Sequence, residues 1–383
     1  MSKVSVIIPA YNQSQYLAAA TQSALNQTYP DVEVLIVDDG STDETAQVAQ
    51  QFTDPRVRYI YQENRGLSGA RNTGIRHATG DFVTYLDSDD LFLPEKLTIL
   101  LDELQKRPFL GFVAGQAMPV DETGQAIGKL FDKPLPADPT HLLLGNPLHV
   151  GSVLLRRDWQ ERVGFFDETL RSYEDWDMWL RLALAGCEMG YVAQPVSLYR
   201  FHREQMTRDG RQMTTATFAV LDNFFARPDL PPDWEAMKDR AYSRAHLRAA
   251  AQAYRLPEAV AEAQEHLRQA ATLDPPLLAD EAAALAGIMR GWTELPKIAD
   301  PVAYLDRIYH HLPPELAVLQ RRRRHDLAEI AMQQAFRADG AGERGQAKTA
   351  VLQALTYHPR WLLNRGALAI LLRPTPAKAK ASE

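Results

Sequence analysis

The segment Asp87-Ser-Asp-Asp90 follows a short apolar run and sets carboxylates at i and i+2 in a polar loop. Such acids can converge on a hard divalent cation, Mg²⁺ or Mn²⁺, whose shell is completed by water and substrate phosphates. The cation would in turn neutralise charge on a leaving diphosphate. An isolated Asp-X-Asp is usually a solvated turn, so its meaning depends on its neighbours. Two other loops are built the same way. Val4-Ser-Val-Ile-Ile-Pro-Ala-Tyr-Asn12 ends near Tyr11, an aromatic ring able to stack on a nucleobase. Val37-Asp-Asp-Gly-Ser-Thr-Asp-Glu44 offers Asp38 and Asp39 as acceptors for a base N–H or a ribose hydroxyl. Arg71, in Asn64-Arg-Gly-Leu-Ser-Gly-Ala-Arg-Asn72, falls within a helix and faces either a phosphate or base, or a surface acid. Tyr173-Glu-Asp-Trp-Asp-Met-Trp-Leu-Arg181 places Glu174 and Asp175 at a helix start. There the dipole alone favours acids, and a carboxylate that stays ionised at neutral pH suits a general base. His202 follows the last expected strand, positioned to reach a metal or a diphosphate.

The elements that must position these residues alternate. Apolar runs over 4–8, 32–37, 57–61 and 82–86 read as strands; 16–27, 42–52 and 67–77 read as helices, the second capped by Ser41 or Thr42. Repeated βα units imply a mostly parallel sheet covered on both faces, with ligands at its carboxyl edge. A helix over 94–106, strands near 110–117 and 150–156 and a helix near 176–185 follow.

At 383 residues the chain exceeds what one core usually organises. Composition shifts after Arg203 toward Ala, Leu, Gln and Arg, which predicts an α/β domain over 1–209, a helical region over 210–372 and a disordered tail over 373–383. Residues 261–275 and 345–359 resemble each other as Ala-spaced helices closed by proline, like the second helix of a tetratricopeptide unit. A helical bundle without repeat function is the plainer reading. The net charge of −7 gives no pull toward nucleic acid. The single cysteine, Cys187, excludes an internal disulfide and fits a reducing compartment. The first strand is too short, and too soon broken by Pro9, for a secretory signal, and no run approaches the roughly 20 apolar residues of a spanning helix.

Taken together, the five motifs and their order resemble the family 2 inverting glycosyltransferases over about residues 3–203. The resemblance implies a GT-A (Rossmann-like) fold and a nucleotide-sugar donor, UDP-linked in the first instance, with Mn²⁺ or Mg²⁺ as cofactor. Position by position, it puts Pro9, Tyr11 and Asp39 at the base, Arg71 at the nucleotide, Asp87 at the ribose and metal with Ser88 beside it, and Asp89 on the cation. Asp175 would be the base and Glu174 its acidic neighbour; His202 matches a less constant position near the metal. The region after about residue 210 inherits nothing from the family.

The implied reaction is sugar transfer, with inversion, to an acceptor hydroxyl of a surface glycan or glycolipid. It is expected in the cytoplasm or peripherally at the inner membrane face, with the helical region open to a protein partner. Two other readings compete. A sugar-nucleotide pyrophosphorylase carries a Gly-rich loop with Arg and Lys after its first strand, where this chain has Pro-Ala-Tyr-Asn-Gln. An inactive transferase serving as a scaffold need not keep acids at 87, 89, 174 and 175.

Overall fold

The computed structural model describes residues 2–202, 210–295 and 298–373. The chain forms two compact units, Met1–Ala241 and Tyr242–Glu383. The compositional break near residue 210 precedes this divide, and the helix that follows the break belongs to the first unit. The expected tail lies, beyond Arg373, outside the described residues.

The first unit opens with β1 (Val4–Ala10), α1 (Ser14–Leu25), β2 (Val32–Asp39), α2 (Thr45–Gln50), β3 (Val57–Gln62), α3 (Gly66–His77) and β4 (Phe82–Tyr85). Strands β1, β2 and β4 are buried along their whole length, which explains their unbroken apolar runs. Then come β5 (Leu91–Phe92), α4 (Lys96–Lys106), β6 (Phe112–Val120), β7 (Val153–Arg156), α5 (Arg157–Val163), α6 (Glu174–Leu184) and β8 (Met189–Arg200), with α7 (Gly210–Phe225) and the short α8 (Pro232–Glu235) after them.

All eight strands form one sheet in the order β3-β2-β1-β4-β7-β6-β8-β5. β3, β2, β1 and β4 are mutually parallel, whereas β7 runs antiparallel to β4 and β6, and β5 antiparallel to β8. The sheet is therefore mixed, with the parallel part where the βα pattern predicts it. Chain direction across the sheet switches at β1, which has β2 on one side and β4 on the other. A crevice opens outside the carboxyl ends of strands at such a switch point. The loops after β1, β2 and β4 end there.

The cap of α2 differs from the expectation. Asp43 accepts the N–H groups of Thr45 and Ser14 at 2.9 and 3.1 Å, while Ser41 accepts the Asn12 N–H at 3.0 Å. A carboxylate satisfies orphan donors from two helix starts at once, so the hydroxyls are released to brace the neighbouring loop.

The second unit is helical: most of α9 (Lys238–Ala253), then α10 (Val260–Leu273), α11 (Ala279–Gly291), α12 (Pro301–His310), α13 (Arg323–Gly340), α14 (Arg344–Tyr357) and α15 (Arg365–Leu372). The two similar stretches occupy equivalent places. α10 buries Ala263, Leu267 and Ala270, and α14 buries Ala347, Val351 and Ala354. Each is followed by a proline-led 3-10 turn, Pro275–Leu278 and Pro359–Leu363, and a further helix. Among the described residues no helix is long and apolar enough to cross a membrane.

Candidate functional site

The site is built around one arginine. α3 begins with Gly66 at φ 78°, and one and a half turns on it carries Arg71 inward from the helix face that packs on β1 and β2. Arg71 is 1% exposed, so it is neither a surface ion pair nor an open contact for solvent. Its Nη2 donates to Asp87 Oδ1 at 2.6 Å, and its Nη1 to Glu174. A single guanidinium thus ties the loop after β4 to the start of α6. The next residue does related work. Asn72 accepts the Phe166 N–H at 2.8 Å and donates to the Phe166 carbonyl and to Glu168, which also receives Arg65. The motif containing Arg71 and Asn72 therefore fixes the segment that delivers Glu174 and Asp175.

The four residues 87–90 diverge rather than converge. Asp87 goes to Arg71, and Ser88 is buried. Asp89 Oδ2 lies 2.8 Å from His202 Nε2. Asp90, fully buried, has Oδ2 3.1 Å from His149 Nε2 and accepts the Arg200 N–H on Oδ1 at 2.8 Å. The pairing of β5 with β8, Leu91 opposite Leu198, explains this. It brings the end of β8 alongside the loop, where Arg200 also donates from Nε to the Asp89 carbonyl at 2.8 Å. Burial raises the Asp90 carboxyl to about 7 against the pull of His149. Burial pulls the His149 imidazole down, but Asp90, with Asp87 and Asp175 behind it, raises it on balance.

Asp175 receives the Asn146 amide at 2.9 Å and the Trp176 N–H at 2.7 Å. Its backbone follows Tyr173, held at φ 60°. Dense surroundings raise its carboxyl to about 7, with Glu174 adding to the rise and Arg71 and Asn146 opposing it. This corrects the expectation that a helix start keeps the acid ionised throughout neutral pH: desolvation and the adjacent carboxylate outweigh the dipole.

Toward the other side of the crevice, Pro9 is buried at the end of β1 and Tyr11 is 49% exposed, its ring turned out of the core. Asp39 Oδ1 accepts from Gln62 Nε2 at 2.6 Å and from the Arg65 N–H at 2.8 Å. Asp38 is taken up by the Tyr59 hydroxyl at 2.7 Å and the Ser41 N–H at 2.9 Å. Of the two acids read as base or ribose acceptors, Asp38 is thus a scaffold for its own loop. Gly40 at φ 77° lets that loop pass Asn64, whose N would lie 2.9 Å from a Cβ there.

The fit to a divalent cation is carried by Asp89 and His202, one carboxylate oxygen and one imidazole nitrogen turned toward each other from two strand ends. That donor pair suits a borderline ion such as Mn²⁺. Asp87, also expected at the metal, faces Arg71 instead of joining them. Among the described residues the three-ligand cluster within 4.8 Å is His325, Asp326 and Glu329 in the second unit. Arg290 lies 2.7 Å from Asp326 and 3.3 Å from Glu329, so a guanidinium already occupies those acids.

His149 and Asn146 escaped the sequence reading. Both sit in the 145–152 segment before β7, where a histidine next to an apolar run was the available signal.

Residues 5–154 match the family described as glycosyl transferase family 2. The chain is 37% identical over 185 residues to chondroitin synthase of Escherichia coli, a match covering 48% of this chain and 27% of that protein. A mannosyltransferase from Pyrobaculum calidifontis, solved in complex with GDP-Man and Mn²⁺, superposes with a TM-score of 0.54 at 19% identity, covering 84% of this chain and 87% of that one. Staphylococcus aureus TarS 1–349, in complex with UDP-GlcNAc, gives 0.51 at 16%, covering 88% and 92%. At those identities the structures speak for the fold, and the chain spans about a third or less of the first curated relatives it matches. The five motifs, the switch-point crevice and these matches agree: residues 5–154 of the N-terminal unit match glycosyl transferase family 2, and that unit carries a GT-A fold.

Proposed function

We propose that the chain transfers a sugar from a nucleoside-diphosphate donor, UDP-linked, to an acceptor hydroxyl of a surface glycan or glycolipid, with inversion. The observation that carries this reading is the Asp87–Arg71–Glu174 bridge, which ties one acid of the strand-end loop to the helix start that bears Glu174 and Asp175. The donors named for the two structural neighbours, GDP-Man and UDP-GlcNAc, support a nucleotide sugar.

Tyr11, exposed beside Asp39, stacks on the base, while Asp39 accepts from its edge and Pro9 shapes the floor. Asp89 and His202 would hold Mn²⁺ or Mg²⁺, which when bound supplies positive charge against the leaving diphosphate. Arg71 keeps Asp87 and Glu174 aligned, and the neighbouring Ser88 is buried. Asp175 takes the proton of the acceptor hydroxyl. The oxygen then forms its bond to the anomeric carbon from the face opposite the diphosphate as the carbon–oxygen bond to the diphosphate breaks. An α-linked donor gives a β-glycoside. A carboxyl near 7 is well matched to this work at neutral pH. Asn146 and the Trp176 N–H each hold one oxygen of Asp175 and so fix the orientation of its carboxylate.

Asp175→Asn tests the reading. Turnover of a UDP-sugar with Mn²⁺ should fall about 10²–10⁴-fold while nucleotide affinity stays within twofold, and the wild-type rate should be lost as pH falls through about 7. Near wild-type turnover in the variant would remove Asp175 as base.

A further inference from the structure

From Arg344 to Ser382 the chain has seven lysines and arginines and no aspartate or glutamate, in a protein whose net charge is −7. The same stretch holds an unusual share of exposed apolar side chains. Leu363 is 84% exposed, Leu372 80%, Leu352 57% and Leu362 49%. On α15, Ala367 and Ile370 face the core, while Arg365, Leu368 and Leu372, at i, i+3 and i+7, lie along the outer side. Arg360 is exposed in the turn just before, next to Trp361, Leu362 and Leu363.

The internal similarity supplies a control. Leu278 and Ile288 stand 84 residues before Leu362 and Leu372, in the equivalent turn and helix. Both are partly buried against the core of the second unit, where the 3-10 turns Trp292–Glu294 and Pro314–Arg322 pack on α11. The later copy of the same arrangement keeps its leucines open and adds arginines around them. Two of the seven, Lys378 and Lys380, fall in residues 374–382, which hold no large apolar side chain.

We infer that this face, the 3-10 turn Pro359–Leu363 with α15, docks on the surface of an anionic lipid bilayer. Leucines inserted at the headgroup–acyl boundary bury apolar area, and surrounding Arg and Lys meet the negative surface potential. Charge selects this occupant over a second copy of the chain, because two such faces would bring like charges together. Arg373 is already paired with Asp339 at 2.8 Å, so Arg360 and Arg365 carry the attraction in the described part. The inference is independent of the transfer chemistry and does not use the crevice.

Flotation of the full chain with vesicles tests it. Phosphatidylcholine vesicles containing about 30% phosphatidylglycerol should carry the protein, and pure phosphatidylcholine should carry at least about tenfold less. Leu363→Ser with Leu372→Ser should weaken binding about tenfold or more, and Arg360→Gln with Arg365→Gln should weaken it while flattening the salt dependence. Both positions of each pair are exposed, and matched thermal unfolding checks the fold. Absence of binding to the anionic vesicles overturns the inference. So does binding that the leucine variant leaves intact, which would move the contact elsewhere, for example to the run of four consecutive arginines at 321–324. Light scattering showing an oligomer that the leucine variant dissolves would assign the face to self-association instead.

Discussion

Arg71→Met removes the charge at the centre of the site and keeps most of the volume. In the wild type the guanidinium is 1% exposed and is shared between Asp87, 26% exposed, and Glu174, 7% exposed. The variant leaves both carboxylates without their cation, beside Asp175. Removing one partner of a buried pair costs about 3–5 kcal/mol because the remaining charge stays desolvated. The first unit spans 241 residues, so its melting temperature should fall by roughly 6–20 °C. The cost should depend on pH in a defined direction. Arg71 opposes the rise of the Asp175 carboxyl, already at about 7, so without it that carboxyl goes higher still and the native state binds more protons than the unfolded chain in a window around and above that value. Stability of the variant relative to wild type is therefore recovered as pH falls through that window and lost as pH rises. Urea unfolding at pH 8 and pH 5.5 measures both. We expect the deficit at pH 5.5 to be smaller than at pH 8. A deficit below about 1 kcal/mol at pH 8, or one equal at the two pH values, would refute the role assigned to this bridge.

Three other outcomes follow from the geometry. Asp89→Ala should abolish the gain in nucleoside-diphosphate affinity conferred by Mn²⁺, read by calorimetry with and without the ion; an unchanged gain would place the metal away from His202. Gly74→Ala should destabilise the first unit by about 1–3 kcal/mol, because the new Cβ would lie 2.3 Å from Ile7 Cγ2 on β1, and denaturant unfolding gives the number directly. Burial raises Glu33, but Ser5, Thr79 and Lys3 more than offset it and hold the carboxyl at about 2. Its contribution, about 3 kcal/mol, is complete above the unfolded pKa of 4.5 and lost as pH falls toward 2, so Glu33→Gln should flatten the acid limb of the stability profile.

What the sequence determined by itself was local. Buried parallel strands must be apolar on both faces and must end in turn-forming residues, so β1, β2 and β4 and the loops behind Tyr11, Asp39 and Asp87 were legible from runs of a few residues. The change to helical periodicity beyond residue 210 was legible for the same reason. Tertiary structure decided the partners. Arg71 meets Glu174 across 103 positions and Asp89 meets His202 across 113, and no short-range pattern encodes either separation. The strand implied before His202 is twelve residues long and contains Pro195, an unlikely strand residue that the sheet accommodates at a register shift opposite Gln116. The charge state of Asp175 was likewise beyond the sequence. A helix start favours an ionised acid, but the protonation equilibrium is set by the desolvation and neighbouring charge that only packing brings together.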